Sequence, residues 1–130
     1  MRDSLRRFRT STDDLVDKEI SQIRALAGTS SVDLEALLKD VIKRYPEAPR
    51  AYQELGEFYN GSQRFGDAVP IFERGIECNP THACLRLDLA LAYKGLGQNA
   101  DFARCLKEAV DLDRSFERYA NVLLLTIREN

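Results

Sequence analysis

The chain has 130 residues, 44% hydrophobic and 31% charged, with 19 basic against 21 acidic side chains and a formal net charge of -2. That is one domain's worth of chain with enough apolar content to close a core, which excludes wholesale disorder. The near balance of charge excludes a field suited to nucleic acid, and no apolar run nears the roughly 20 residues that a bilayer span requires.

Residues 1–12 carry Arg2, Arg6, Arg7 and Arg9 against Asp3, with Leu5 and Phe8 as apolar points, and are expected to form a flexible basic arm. The stretch Leu5–Arg9 is too polar for a signal peptide. Cys78, Cys84 and Cys105 make an odd count without a Cys-x-x-Cys pair. Reduced thiols in a cytoplasmic protein are therefore expected. A helix near Asp13–Ala27 opens on two carboxylates, which suit a helix N-terminus. Leu34, Leu38, Val41 and Ile42 then recur at helical spacing before Pro46.

Ala51, Leu55, Phe58 and Tyr59 give the next stripe, and Asn60-Gly61-Ser62 supplies a turn in which Gly61 is expected to be left-handed. A helix over Gly66–Cys78 turns Ala68, Val69, Phe72 and Ile76 inward. Pro70 is expected in its first turn, where a missing N–H costs little. Asn79-Pro80 ends it. Leu85, Leu89, Ala92 and Tyr93 mark another helix, followed by Gly95 and Gly97. Asn99 is the expected cap of a helix burying Phe102, Leu106, Ala109 and Val110. The last amphipathic stretch, Ser115–Arg128, is expected to face Tyr119, Val122, Leu123 and Ile127 inward.

The chain resembles itself at an offset of 34 residues. Leu55 falls on Leu89, Tyr59 on Tyr93, Gly61 on Gly95, Phe72 on Leu106 and Gly75 on Ala109. One period back, Pro46 aligns with Pro80, Ile42 with Ile76 and Leu38 with Phe72. Asp33, Asp67 and Asp101 form a third series, expected at the opening of second helices, where the dipole favours a carboxylate. Each period reads as two antiparallel helices that cannot cover their own apolar face and must stack on neighbours.

Tyr52, Leu55, Gly56, Tyr59, Phe65, Ala68, Phe72, Gly75 and Pro80 resemble the signature of the tetratricopeptide repeat, in its order and spacing. The resemblance covers 49–82 closely and 83–116 less closely, where Arg86, Phe102 and Arg114 depart from it. It implies an all-α fold: a right-handed superhelical stack of antiparallel helix pairs, an α-solenoid. The expected organisation is a single domain over 13–130 after the arm. It comprises a degenerate repeat at 13–46, repeats at 49–82 and 83–116, and a C-terminal capping helix at 117–128.

By the same resemblance, the first helices of the units line a concave groove that binds another protein. Its lining would be Arg50, Gln53, Glu57 and Asn60, then Cys84, Leu87, Leu91 and Lys94, then Arg118, Asn121, Leu125 and Arg128. Leu87, Leu91 and Leu125 lie off the packing faces and would form an apolar patch ringed by positive charge. That suits an amphipathic peptide or helix with some acidic residues. Family members that clasp acidic C-terminal tails present lysine and asparagine where this chain has Gln53, Glu57, Leu87 and Leu91, so that clamp is not expected.

Chemistry has little to stand on. His82 is the one histidine, the spacing of Cys78, His82 and Cys84 fits no common zinc pattern, and no glycine-rich phosphate loop occurs. No catalytic residue, metal or cofactor is expected. The expected function is an adaptor or scaffold, with a small chaperone shielding an apolar client segment as the alternative. A homodimer through the C-terminal end is the third reading, since a terminal unit normally needs a polar outer surface.

Overall fold

The computed structural model describes residues 11–27 and 33–128, so the basic arm falls outside it except for Ser11 and Thr12, which already belong to the first helix. Seven α-helices follow one another: α1 Ser11–Ala27, α2 Leu34–Arg44, α3 Pro49–Gly61, α4 Phe65–Cys78, α5 Ala83–Gly95, α6 Asn99–Leu112 and α7 Glu117–Arg128. A single 3-10 turn, Arg114–Phe116, precedes α7. No strand occurs among the described residues.

Each helix packs on the next, and α3 packs on both α1 and α5, whereas α2 and α4, or α4 and α6, do not approach each other among the described residues. Inner helices that touch and outer helices that do not produce a bent stack, an α-solenoid with its hollow on the α1, α3, α5 side. The core runs through the stack as one cluster, from Val16 and Ile20 through Leu55, Phe72 and Leu85 to Phe102 and Leu106.

Two glycines set the spacing inside the α3–α4 hairpin. A Cβ on Gly56 would sit 2.3 Å from the Phe72 ring, and one on Gly75 would sit 2.8 Å from Tyr52 Cβ. Both aromatic rings are almost completely buried and have nowhere to retreat. Tyr52 also ties the hairpin to what precedes it, donating its hydroxyl to the Pro46 carbonyl. Asn79 does the same from α4, donating to the Glu47 carbonyl at 3.1 Å.

Helix ends depart from expectation in three places. The left-handed residue after α3 is Gln63 (φ 60), not Gly61, which is the last helical residue. The helix runs a residue further than the turn chemistry suggests. Gln63 is then followed by a bond from Arg64 N–H to the Tyr59 carbonyl at 2.8 Å, the pattern of a Schellman end. One period later Gly97 (φ 75) and the Gln98 bond to Tyr93 at 2.9 Å repeat it. Pro70 lies in the second turn of α4, so it removes a donor from within the ladder; both it and Gly66, whose carbonyl loses that donor, are exposed. Asn99 is the first helical residue of α6, and Gln98 caps it without a side-chain bond.

The aspartate series opens the outer helices, by two routes. Asp33 caps α2, accepting from Ala36 N–H at 3.1 Å. Asp67 and Asp101 lie inside the first turns of α4 and α6, paired with Arg64 at 2.9 Å and Arg104 at 3.3 Å.

The face of α7 also differs. Ala120 is buried, Leu123, Leu124 and Ile127 pack against the core, and Tyr119 and Val122, expected inward, are 46% and 57% exposed. Positions 120, 123, 124 and 127 make a continuous stripe at i, i+3, i+4 and i+7.

Gly56→Ala should destabilise the protein by about 2–3 kcal/mol, because the added methyl cannot fit against Phe72 without shifting α4. Gly61→Ala, with open space around it, should change stability by less than about 1 kcal/mol. Urea midpoints of the two variants check the pair.

Candidate functional site

The residues expected in the groove separate into two groups. Arg50, Gln53, Glu57 and Asn60 lie along α3 and Leu87, Leu91 and Lys94 along α5, two inner helices that pack together. Arg118, Asn121 and Leu125 lie on α7, which packs on α6 and the 3-10 turn but does not approach α5. These three line a separate hollow of about 580 Å³ with Glu117, Val122 and Leu124. The side chain of Arg128 lies outside the described residues.

On the α3–α5 face, Leu91 is half-buried, and Leu87 leans partly on the core. Arg50 is not an open cation: its guanidinium donates to Glu54 at 3.0 Å and reaches Asp17 of α1 at 3.4 Å. Glu54 takes a second guanidinium, that of Arg24, also from α1. Gln53 donates to Glu57 at 3.3 Å. Asn60 donates to the Asp88 carbonyl at 3.3 Å, which makes it a tie between α3 and α5. Of the positive rim expected for an acidic partner, Arg50 is thus paired within the protein. Opposite charge from α1 and α3 neutralises it.

Two acidic residues central to this face were absent from the expected lining. Glu54 lies between the two arginines, and Asp88 lies beside it on α5. They stand one 34-residue period apart, so the repeat itself carried the signal. Burial pushes the Asp88 carboxyl up to about 8, aided by the charge of Glu57, by a hydrogen bond shared with it and by the charge of Glu54. Its Oδ2 is shut from water and has no hydrogen-bond partner among the described residues. Burial likewise raises the neighbouring Cys84 thiol, with Asp88 contributing, so Cys84 is a weak nucleophile.

Next to this cluster, Ile20, Ile23, Leu34, Leu38 and Phe58 line a hollow of about 320 Å³, with Arg24, Glu54 and Glu57 among its polar lining. That is room for one or two large apolar side chains beside a carboxylate edge. Elsewhere, Glu35 of α2 is held at about 2, chiefly by the Arg64 hydrogen bond and then by Tyr59. Tyr59 donates to it at 2.6 Å and Arg64 lies at 2.8 Å. This cluster staples α2 to the α3–α4 turn and leaves no group available for a ligand. His82 caps α5 through its backbone, and burial lowers its imidazole.

Residues 61–124 match a family model described as tetratricopeptide repeat. No curated protein sequence matches the chain. Among solved structures, a mutant of MamA is 28% identical, over 76% of this chain and 55% of that one, with a TM-score of 0.62. The MamA RS-1 ArsTM double mutant is 24% identical, over 82% of this chain and 60% of that one, with a TM-score of 0.63, and speaks for the fold alone. The chain therefore spans 55% to 60% of the length of these neighbours. The sequence resemblance and the solenoid architecture agree, and that architecture is one of protein interaction.

Asp88 gives a signed pH dependence. Its folded-state pKa is raised, so between about pH 4 and pH 8 the folded protein keeps a proton that the unfolded chain releases, and stability falls as pH rises through that window. Asp88→Asn removes this cost. It should stabilise the protein by roughly 1–2 kcal/mol at pH 8 and by nearly nothing at pH 4, as read from denaturant midpoints at the two pH values.

Proposed function

We propose, for a chain whose residues 61–124 match a tetratricopeptide repeat model, that the concave face of α1, α3 and α5 holds a segment of another protein. The bound segment presents apolar anchors and a cationic side chain. What supports this reading is that Leu87 and Leu91 belong to α5, the helix that packs on α3 and carries Asp88, whose carboxyl feels the charge of Glu57 and Glu54. Leucines take apolar anchors, and a carboxyl cluster in a half-buried setting rewards a lysine or arginine. A cationic side chain is proposed here where the sequence suggested acidic ones, because Arg50 of the expected rim is drawn onto Glu54 together with Arg24. An adaptor or scaffold role follows, with the partner seated in the hollow and the outer helices left for a second contact. The three free thiols support a reducing, cytoplasmic setting.

Self-association through α7 is a second reading with its own support: Tyr119, Val122 and Leu125 are exposed on a helix that covers the end of the stack. A scattering mass near 14.8 kDa at high protein concentration would dispose of it.

A panel of labelled amphipathic peptides tests the main reading. Peptides with apolar residues at i and i+4 and flanking arginines should bind, and counterparts with glutamates in place of the arginines should not. Leu91→Glu, at a half-buried position outside the apolar core, should weaken binding by about tenfold or more while leaving the circular dichroism spectrum unchanged. Equal affinity for the two peptide sets would refute the charge assignment.

A further inference from the structure

The chemistry asked of the bound segment is present in this chain. Residues 1–10, Met-Arg-Asp-Ser-Leu-Arg-Arg-Phe-Arg-Thr, hold four arginines against one aspartate, with Leu5 and Phe8 three residues apart. We infer that this segment is the resident occupant of the α3–α5 face, its apolar pair on Leu87 and Leu91 and its guanidinium groups at Glu57, beside Asp88, so that an outside partner binds by displacing it. The inference rests on the peptide-binding reading above and names which peptide comes first.

Three observations support it. The first is charge. Arg24 and Arg50 are both committed to Glu54, whereas among the described residues neither Glu57 nor Asp88 is hydrogen-bonded by a guanidinium. An incoming arginine would pair with the exposed carboxylate of Glu57 and so offset the repulsion that Glu57 exerts on Asp88. The second is position. The segment joins α1 at Ser11, at the end of the stack where α3 begins, since Thr12 and Asp13 share a hollow with Pro46, Ala48 and Pro49. Ten extended residues reach about 33 Å. The face lies two inner-helix spacings away, roughly 16–20 Å. Cys84, the second residue of α5, lies at that same end of the helix.

The third is tethering. A segment joined by a short linker meets its site at an effective concentration of order millimolar, so a contact too weak to detect between separate molecules is well populated within one.

Cys84 reports occupancy. In a Cys78→Ser background, with Cys105 buried, its alkylation by a thiol reagent should be at least threefold faster in a full-length variant carrying Arg2→Glu, Arg6→Glu, Arg7→Glu and Arg9→Glu. A synthetic peptide of residues 1–10 should bind that variant and restore the slow rate. Equal rates, with no binding of the synthetic peptide, would overturn the inference. Protection lost on dilution would assign the segment to a neighbouring molecule and overturn the intrachain form. The arginine-flanked amphipathic peptides separate the two levels of argument. If they bind the variant and the 1–10 peptide does not, the groove stands and the resident occupant falls; if neither binds, both fall.

Discussion

The approach of α4 to α3 depends on a missing atom. Gly56 and Gly75 let Phe72 and Tyr52 lie flat against the opposite backbone, and no other residue type would allow that distance. From it follow the hairpin's thickness, the direction in which α5 leaves it and the placement of Leu85, which packs within 3.2 Å of the position a Gly75 Cβ would occupy. Helices held so closely on the inner side and apart on the outer side bend the stack. The bend makes a face on which side chains of α1, α3 and α5 converge.

Much of this could be read from spacing. Apolar residues at helical intervals, repeated 34 residues on, are enough to define hairpins, because burial of a stripe is a strong and local demand. What escaped was decided by weaker or longer-range terms. Gln63 takes the left-handed position because α3 includes Gly61, and a difference of one residue at a helix end is set by small energies. Tyr119 was expected inward, yet the buried stripe runs through Ala120, on the side of α7 that packs on α6.

The candidate face was half legible. Of the three leucines read as lying off the packing stripes, Leu87 packs partly against the core and Leu125 lies on α7, which does not approach α5, so Leu91 alone keeps the expected place. The charge of the face was not legible, because the sign of a surface depends on which ions pair within the protein, and the Arg24–Glu54 and Arg50–Asp17 pairs join residues about one period apart in sequence. Counting arginines overestimates the positive potential whenever a neighbouring helix supplies carboxylates. Nothing in the spacing singles out Glu54 or Asp88, and burial gives Asp88 its meaning: a carboxyl without water is a demand for a proton or a cation.

Outer helices that never meet have a mechanical consequence. With α1, α3 and α5 in contact along one side and α2, α4 and α6 spaced along the other, the stack has a stiff spine and a compliant back. Small rotations about the spine widen or narrow the hollow without breaking any inner packing, while the Glu35–Arg64 staple and the Asn79–Glu47 tie limit how far neighbouring hairpins can fan apart. A ligand gripping α3 and α5 together would stiffen the whole spring, so its arrival would be felt on the convex surface as lost elasticity with little change of shape.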